Sequence, residues 1–152
     1  MLELGPSLWS AAPKGVRSGL GPELVTNGTF DAGLTGWSHI NADASVADGV
    51  VTVLATGANG RMEQSIVLEA GATYRVFADV SLLVGNGFDV QMIRGAAGDY
   101  AWIGTAWTGD AGPGVVEYTF VSPGTDAIIQ LVAGASGVSF TADNVSIRKV
   151  IG

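Results

Sequence analysis

The sequence has no cysteine and a single histidine, His39. Without thiols there can be no disulfide staple, no thiolate nucleophile and no cysteine-ligated zinc, and the redox compartment is left open. One histidine cannot build a His-rich metal site, and a solitary His close to a tryptophan reads as a surface or loop residue. Basic residues are also few. Seven Lys and Arg stand against fourteen Asp and Glu, for a net charge of −7 and an isoelectric point near 4.3. Binding a phosphate backbone needs clustered cations, and these seven are scattered, so nucleic acid is excluded as a ligand. No apolar run approaches the ~20 residues of a membrane helix. Nor does a basic start lead into an apolar stretch, so neither a membrane span nor a signal peptide is expected.

Charge of either sign is scarce: 14% of the 152 residues are charged, against about 25% in ordinary soluble domains. A surface this poor in charge is expected to be partly covered, by a homo-oligomer or by another subunit. The length suits one domain, enough to bury about 70% of the unfolded chain's surface without staples.

Sustained helical spacing is missing too, and period-two alternation takes its place. Ala44 to Ala47 and Val50 to Ala55 flank Asp48-Gly49, a hairpin signal. Met62, Gln64, Ile66 and Leu68 share one face of the next strand, with Arg61, Glu63, Ser65 and Val67 on the other. The longest early run, Thr73 to Leu83, turns Tyr74, Val76, Ala78, Val80 and Leu82 inward. Further strands are expected over Phe88 to Arg94, Tyr100 to Trp107, Val115 to Val121, Ala127 to Ala133 and Val138 to about Val150. Roughly eight to ten strands separated by Gly-rich turns indicate an antiparallel sandwich.

Residues 1–22 differ from the rest. Pro6, Pro13 and Pro22, with Gly5, Gly15, Gly19 and Gly21, break any regular element, while Leu2, Leu4, Leu8 and Trp9 are costly to leave in water. An extended arm that packs on its own domain or on a neighbour is expected, followed by a sandwich over 23–152.

Two segments carry a family resemblance. Glu23 to Trp37 reads Glu-Leu-Val-Thr-Asn-Gly-Thr-Phe-Asp-Ala-Gly-Leu-Thr-Gly-Trp, a short edge strand and then an aromatic plug; Asp143-Asn144-Val145-Ser146-Ile147 lies near the other end. Together they resemble the galactose-binding-like jelly rolls, specifically carbohydrate-binding modules of families four, nine and twenty-two. Those open on Asn-Gly-x-Phe-Glu/Asp…Gly-Trp and close on an Asp-Asn-Val-Ser-Leu-like strand. The resemblance covers roughly residues 23–150. It implies an all-β, antiparallel β-sandwich jelly roll with Trp37 in the core, a scaffold that serves sugar-binding modules, enzyme appendages and phage virion proteins alike. It also implies a structural calcium between opening loop and last strand, held by Asp31, where Glu is common, and by Asp143. Otherwise Asp31 caps a turn and Asp143 accepts from nearby amides.

Sugar binding on such a scaffold uses aromatic platforms flanked by hydrogen-bonding side chains. The candidates are Tyr100, Trp102 and Trp107, with Arg75, Asp79, Asp89, Gln91 and Gln130; the tryptophans read equally as core or interface anchors. No catalytic motif is present, and the glycine-rich loops at Gly95 and Gly109 lack the lysine of a phosphate cradle. The expectation is a non-catalytic structural or binding protein. As a phage virion component, a head decoration or tail accessory, it would touch host glycans and dock through residues 1–22. The alternative is a free carbohydrate-binding module of an extracellular polysaccharide-degrading system.

Overall fold

A computed structural model describes residues 19–94, 102–107 and 114–151, with the backbone alone for 102 and 104–107. Period-two alternation becomes strands throughout: β1 (Gly19–Leu20), β2 (Ser38–Ile40), β3 (Ala42–Ala47), β4 (Val50–Ala55), β5 (Gly60–Val67), β6 (Thr73–Val84), β7 (Asp89–Arg94), β8 (Trp102–Trp107), β9 (Gly114–Val121), β10 (Asp126–Ala133) and β11 (Ser139–Ile151). All pairings are antiparallel. One sheet runs β3-β4-β11-β6-β9, with β1 added to β11, and the other runs β2-β5-β10-β7-β8. Neighbours in each sheet are mostly distant in sequence, as in a jelly roll.

The core lies between the sheets. From one side come Tyr74, Val76, Ala78 and Val80 of β6 with Phe140, Val145 and Ile147 of β11; Met62, Ile66, Val90, Met92, Ile129 and Leu131 face them. Phe140 and Phe88 stack with ring centroids 4.0 Å apart and so tie the two sheets together. Burying each such ring contributes about 1.5–3 kcal/mol. At Asp48-Gly49 both residues take the left-handed conformation, φ 53° and 75°, as a tight two-residue hairpin turn requires.

The opening segment departs from the edge strand expected at Leu24–Val25. The two-residue strand is Gly19–Leu20, and residues 21–24 follow β11 through Gly21 N–H to Lys149 O (2.7 Å) and Leu24 N–H to Ile147 O (3.0 Å). The β11 bulge between Asp143 and Ser146 interrupts the ladder and lets the loop at Gly28 press against Val145. The boundary drawn at residue 22 therefore falls inside this ribbon. Leu2, Leu4, Leu8 and Trp9 lie outside the described residues.

The aromatic plug is present. Asn27 gives its side-chain N–H groups to Gly33 O and Thr35 O, both at 2.9 Å, and takes the Ala32 amide on Oδ1. Its backbone carbonyl accepts the Trp37 indole N–H at 3.1 Å. Phe30 and Trp37, both buried, pack with centroids 5.5 Å apart.

Candidate functional site

The inward residues of β5, β10 and β7 fill the core, so the alternate residues form the outer face of that sheet. The register sorts them into three rows: Arg61–Val132–Asp89, Glu63–Gln130–Gln91 and Ser65–Ile128–Ile93. Successive rows stand about 7 Å apart. Next to β7, the backbone of β8 sets Trp107 opposite Asp89, Thr105 opposite Gln91 and Trp102 opposite Ile93. A cleft of about 490 Å³ opens over this grid, with Ile93, Ile128 and Val132 among its apolar lining.

The middle row is a chain of hydrogen bonds. Gln91 Nε2 donates to Gln130 Oε1 (2.7 Å), Gln130 Nε2 donates to Glu63 Oε1 (2.9 Å), and Arg61 Nε donates to that same Glu63 oxygen (2.7 Å). Both glutamines are buried, 6% and 7% exposed, so their amides need these partners. The direction of the chain follows from chemistry. An ionised carboxylate only accepts, so Gln130 must turn its NH₂ to Glu63 and its carbonyl to Gln91. Beneath the face, the Tyr118 phenol donates to Val90 O (3.1 Å). Burial first, and then the nearby Asp89 charge, hold that phenol well above the ordinary tyrosine range.

No protein-family model and no curated protein sequence matches the chain. Solved structures do match. A family-four carbohydrate-binding module (CBM4) superposes with a TM-score of 0.71 at 16% identity, over 82% of this chain and 99% of its own. The CBM22-1 xylan-binding domain of Paenibacillus barcinonensis Xyn10C gives 0.65 at 14% identity, over 89% and 97%. The enzymatically active domain of tailspike protein 4 from bacteriophage CBA120 gives 0.60 at 16%, over 85% of this chain and 21% of that one. The fold is a jelly roll like that of these carbohydrate-binding modules. At these identities the likeness establishes fold and nothing further.

This jelly roll brings some of the sequence candidates together and separates others. Asp89, Gln91 and Gln130 share the cleft. Arg75 and Asp79 lie on β6, in the other sheet, where Arg75 pairs with Glu117 and Asp79 accepts from Asn144 Nδ2 at 2.8 Å. Trp102 and Trp107 stand in the strand beside the cleft, and Tyr100 lies outside the described residues. Sequence reading did not single out Arg61 and Glu63 as site residues. Alternation put both on the outer face of β5, but the order β5-β10-β7 that carries them to Gln91 is non-local.

For calcium, Asp31 Oδ1 and Thr29 O both come within 3.5 Å of the point where a Cβ on Gly49 would sit, so two oxygens converge at the β3–β4 turn. Asp31 Oδ2 also accepts from Thr29 Oγ1 (3.0 Å), and Asp143 Oδ1 accepts the Asn144 amide (2.7 Å). Among the described residues, no three or more His, Cys, Asp or Glu side chains gather to hold a metal. Calcium takes six to eight oxygens. An ion held by Asp31 and Asp143 would therefore need carbonyl or water oxygens besides these two carboxylates.

Proposed function

We propose that the chain is a non-catalytic glycan-binding module whose ligand lies in the cleft over β5, β10, β7 and β8. The observation that carries this is the row Glu63–Gln130–Gln91, a run of polar groups with fixed donor and acceptor directions set between apolar positions. Sugars present both chemistries, with C–H faces for apolar floors and hydroxyls for fixed polar groups. The neighbouring strand holds two tryptophans at the ends of the same grid. A glycan array probed with the wild type, Gln91→Ala, Gln130→Ala and Trp107→Ala tests it, with Arg75→Ala and Asp79→Ala on the opposite sheet as controls. Binding lost in the first group and kept in the controls supports the cleft. The reverse pattern moves the site to the β6 face.

The setting we favour is a virion, with this module carried where a phage meets host glycans. The xylan-binding domain supports the alternative as much as a phage tailspike domain of the same fold supports this setting. The virion is also supported by an apolar row on the β4-β11-β6 face, where Leu54 (43% exposed) and Val84 (59%) flank Ser139 beside Leu83 (53%), a surface suited to a partner subunit. Mass spectrometry finding the chain in purified particles would support this. Finding it only as free secreted protein would favour a carbohydrate-binding module of a polysaccharide-degrading system. Calcium at Asp31, Thr29 O and Asp143 completes the reading and serves to brace the opening loop.

A further inference from the structure

The charges of the cleft are arranged asymmetrically. Among the described residues its lining holds one cation, Arg61, and two carboxylates, Glu63 and Asp89, formal charges of one positive against two negative. The cation is partly spent within the protein. Its Nε is bound to Glu63 at 2.7 Å and its Nη1 to Asn59 O at 3.1 Å. Both side chains of the pair are largely covered, 25% and 21% exposed, so water weakens their attraction less than it would on an open surface. The same Glu63 oxygen anchors the amide chain through Gln130. Glu63 thus does two things at once: it offsets the one positive charge that the described residues bring to the lining, and it fixes which way two buried amides point.

Resting on the glycan-binding reading above, we infer that Glu63 is the specificity-determining residue of the cleft: by holding Arg61 and adding to Asp89 it rejects uronate- and sulfate-bearing glycans and selects uncharged ones. An anionic sugar entering the grid meets, among the described residues, a net negative lining, and the guanidinium that would attract its carboxylate already has its charge offset by Glu63. A neutral sugar meets amide and carboxylate groups that its hydroxyls can satisfy.

Glu63→Gln tests this cleanly, because glutamine has the same shape and its carbonyl can still accept from Gln130 and Arg61. The variant removes the charge, keeps the chain of hydrogen bonds and brings the lining to neutrality. Glu63→Gln/Asp89→Asn carries it to one net positive charge. Each protein is applied at low salt to an array of neutral, polygalacturonate-type and sulfated oligosaccharides, with circular dichroism and melting to confirm the fold. The wild type is expected to bind neutral glycans only. The single variant should shift the anionic-to-neutral binding ratio upward on the order of tenfold, and the double variant further, with the gain shrinking as salt is raised. A wild type that binds uronates as well as neutral sugars overturns the charge selection and leaves the cleft intact. Folded variants that gain no anion binding overturn the role of Glu63. A wild type that binds no glycan of any class removes the glycan-binding reading itself, and this inference with it.

Discussion

Glu23 and Ile147 lie 124 residues apart and are joined by a hydrogen bond, Ile147 N–H to Glu23 Oε1 at 2.9 Å. The same oxygen accepts the Leu24 and Val25 amides, each at 3.0 Å, and Oε2 accepts from Ser146 Oγ. One carboxylate therefore clasps the opening segment to the last strand beside the β11 bulge, where regular pairing is interrupted. Glu23→Ala should cost about 2 kcal/mol, because the Val25 and Ile147 amides lose their acceptor, whereas Leu24 keeps Ile147 O. Glu23→Gln keeps one carbonyl and should cost about half that. Urea denaturation with unchanged m reads the difference; a loss below about 0.5 kcal/mol in the alanine variant would show that the clasp is dispensable.

Gly28 marks the closest approach of the opening loop to β11. A Cβ placed there would stand 2.0 Å from Val145 O, a backbone atom that cannot rotate away. Gly28→Ala should lose more than about 3 kcal/mol or fail to fold, in the class of forced overpacking. Gly124→Ala, with nothing within 4 Å of its Cβ, should stay within about 0.5 kcal/mol. Comparable melting temperatures for the two variants would contradict the packing described.

Tyr118 should ionise only at a pH well above the ordinary tyrosine range. Its folded-state pKa is raised by burial and then by Asp89, while the unfolded chain ionises near the ordinary value of about 10. Between those two values the native state holds a proton that the unfolded state has lost. Its contribution to stability is therefore complete below about pH 10 and declines as the pH rises beyond it. Tyr118→Phe should flatten that decline, at a cost of about 1 kcal/mol near neutrality for the hydrogen bond to Val90 O. Equal alkaline slopes in the two proteins would remove Tyr118 as the cause.

Calcium at the opening loop should raise the melting temperature. At a hundredfold excess over its dissociation constant, a bound ion stabilises by about 2.7 kcal/mol, a shift of several degrees. Calorimetry in millimolar calcium against chelator should show the shift in the wild type and lose it in Asp31→Asn and Asp143→Asn. An unchanged wild-type transition rejects the site.

Chains begun at Gly19 and at Glu23 should behave differently. The first keeps β1 and the bonds of Gly21, whose amide donates to Lys149 O and whose carbonyl accepts from Arg148 Nε at 2.6 Å. It should melt with the full chain, whereas the second should lose about 1–2 kcal/mol. Light scattering is expected to find the full chain oligomeric and the Gly19 chain monomeric. A monomeric full chain would remove residues 1–18 as a docking arm.

Sequence alone determined most of the longer strands and their faces, though not the short β1 and β2. Side chains alternate every second residue in any extended chain, so Met62, Gln64 and Ile66 were bound to share one face and Arg61 and Glu63 the other, whichever strand lay beside them. The Asp48-Gly49 turn and the Asn27 loop were legible for the same reason, since their constraints are local. Tertiary structure alone decided which strands became neighbours. Asp79 and Asp89 both read as outward polar residues, yet they lie on opposite sheets, and Arg61 and Glu63 reach Gln91 only because β10 inserts between β5 and β7. Alternation fixes which way a side chain faces and carries no information about sheet order, which is set by burial summed over the whole core. The cleft is a product of that order, so its amide chain appears only once the strands are assembled.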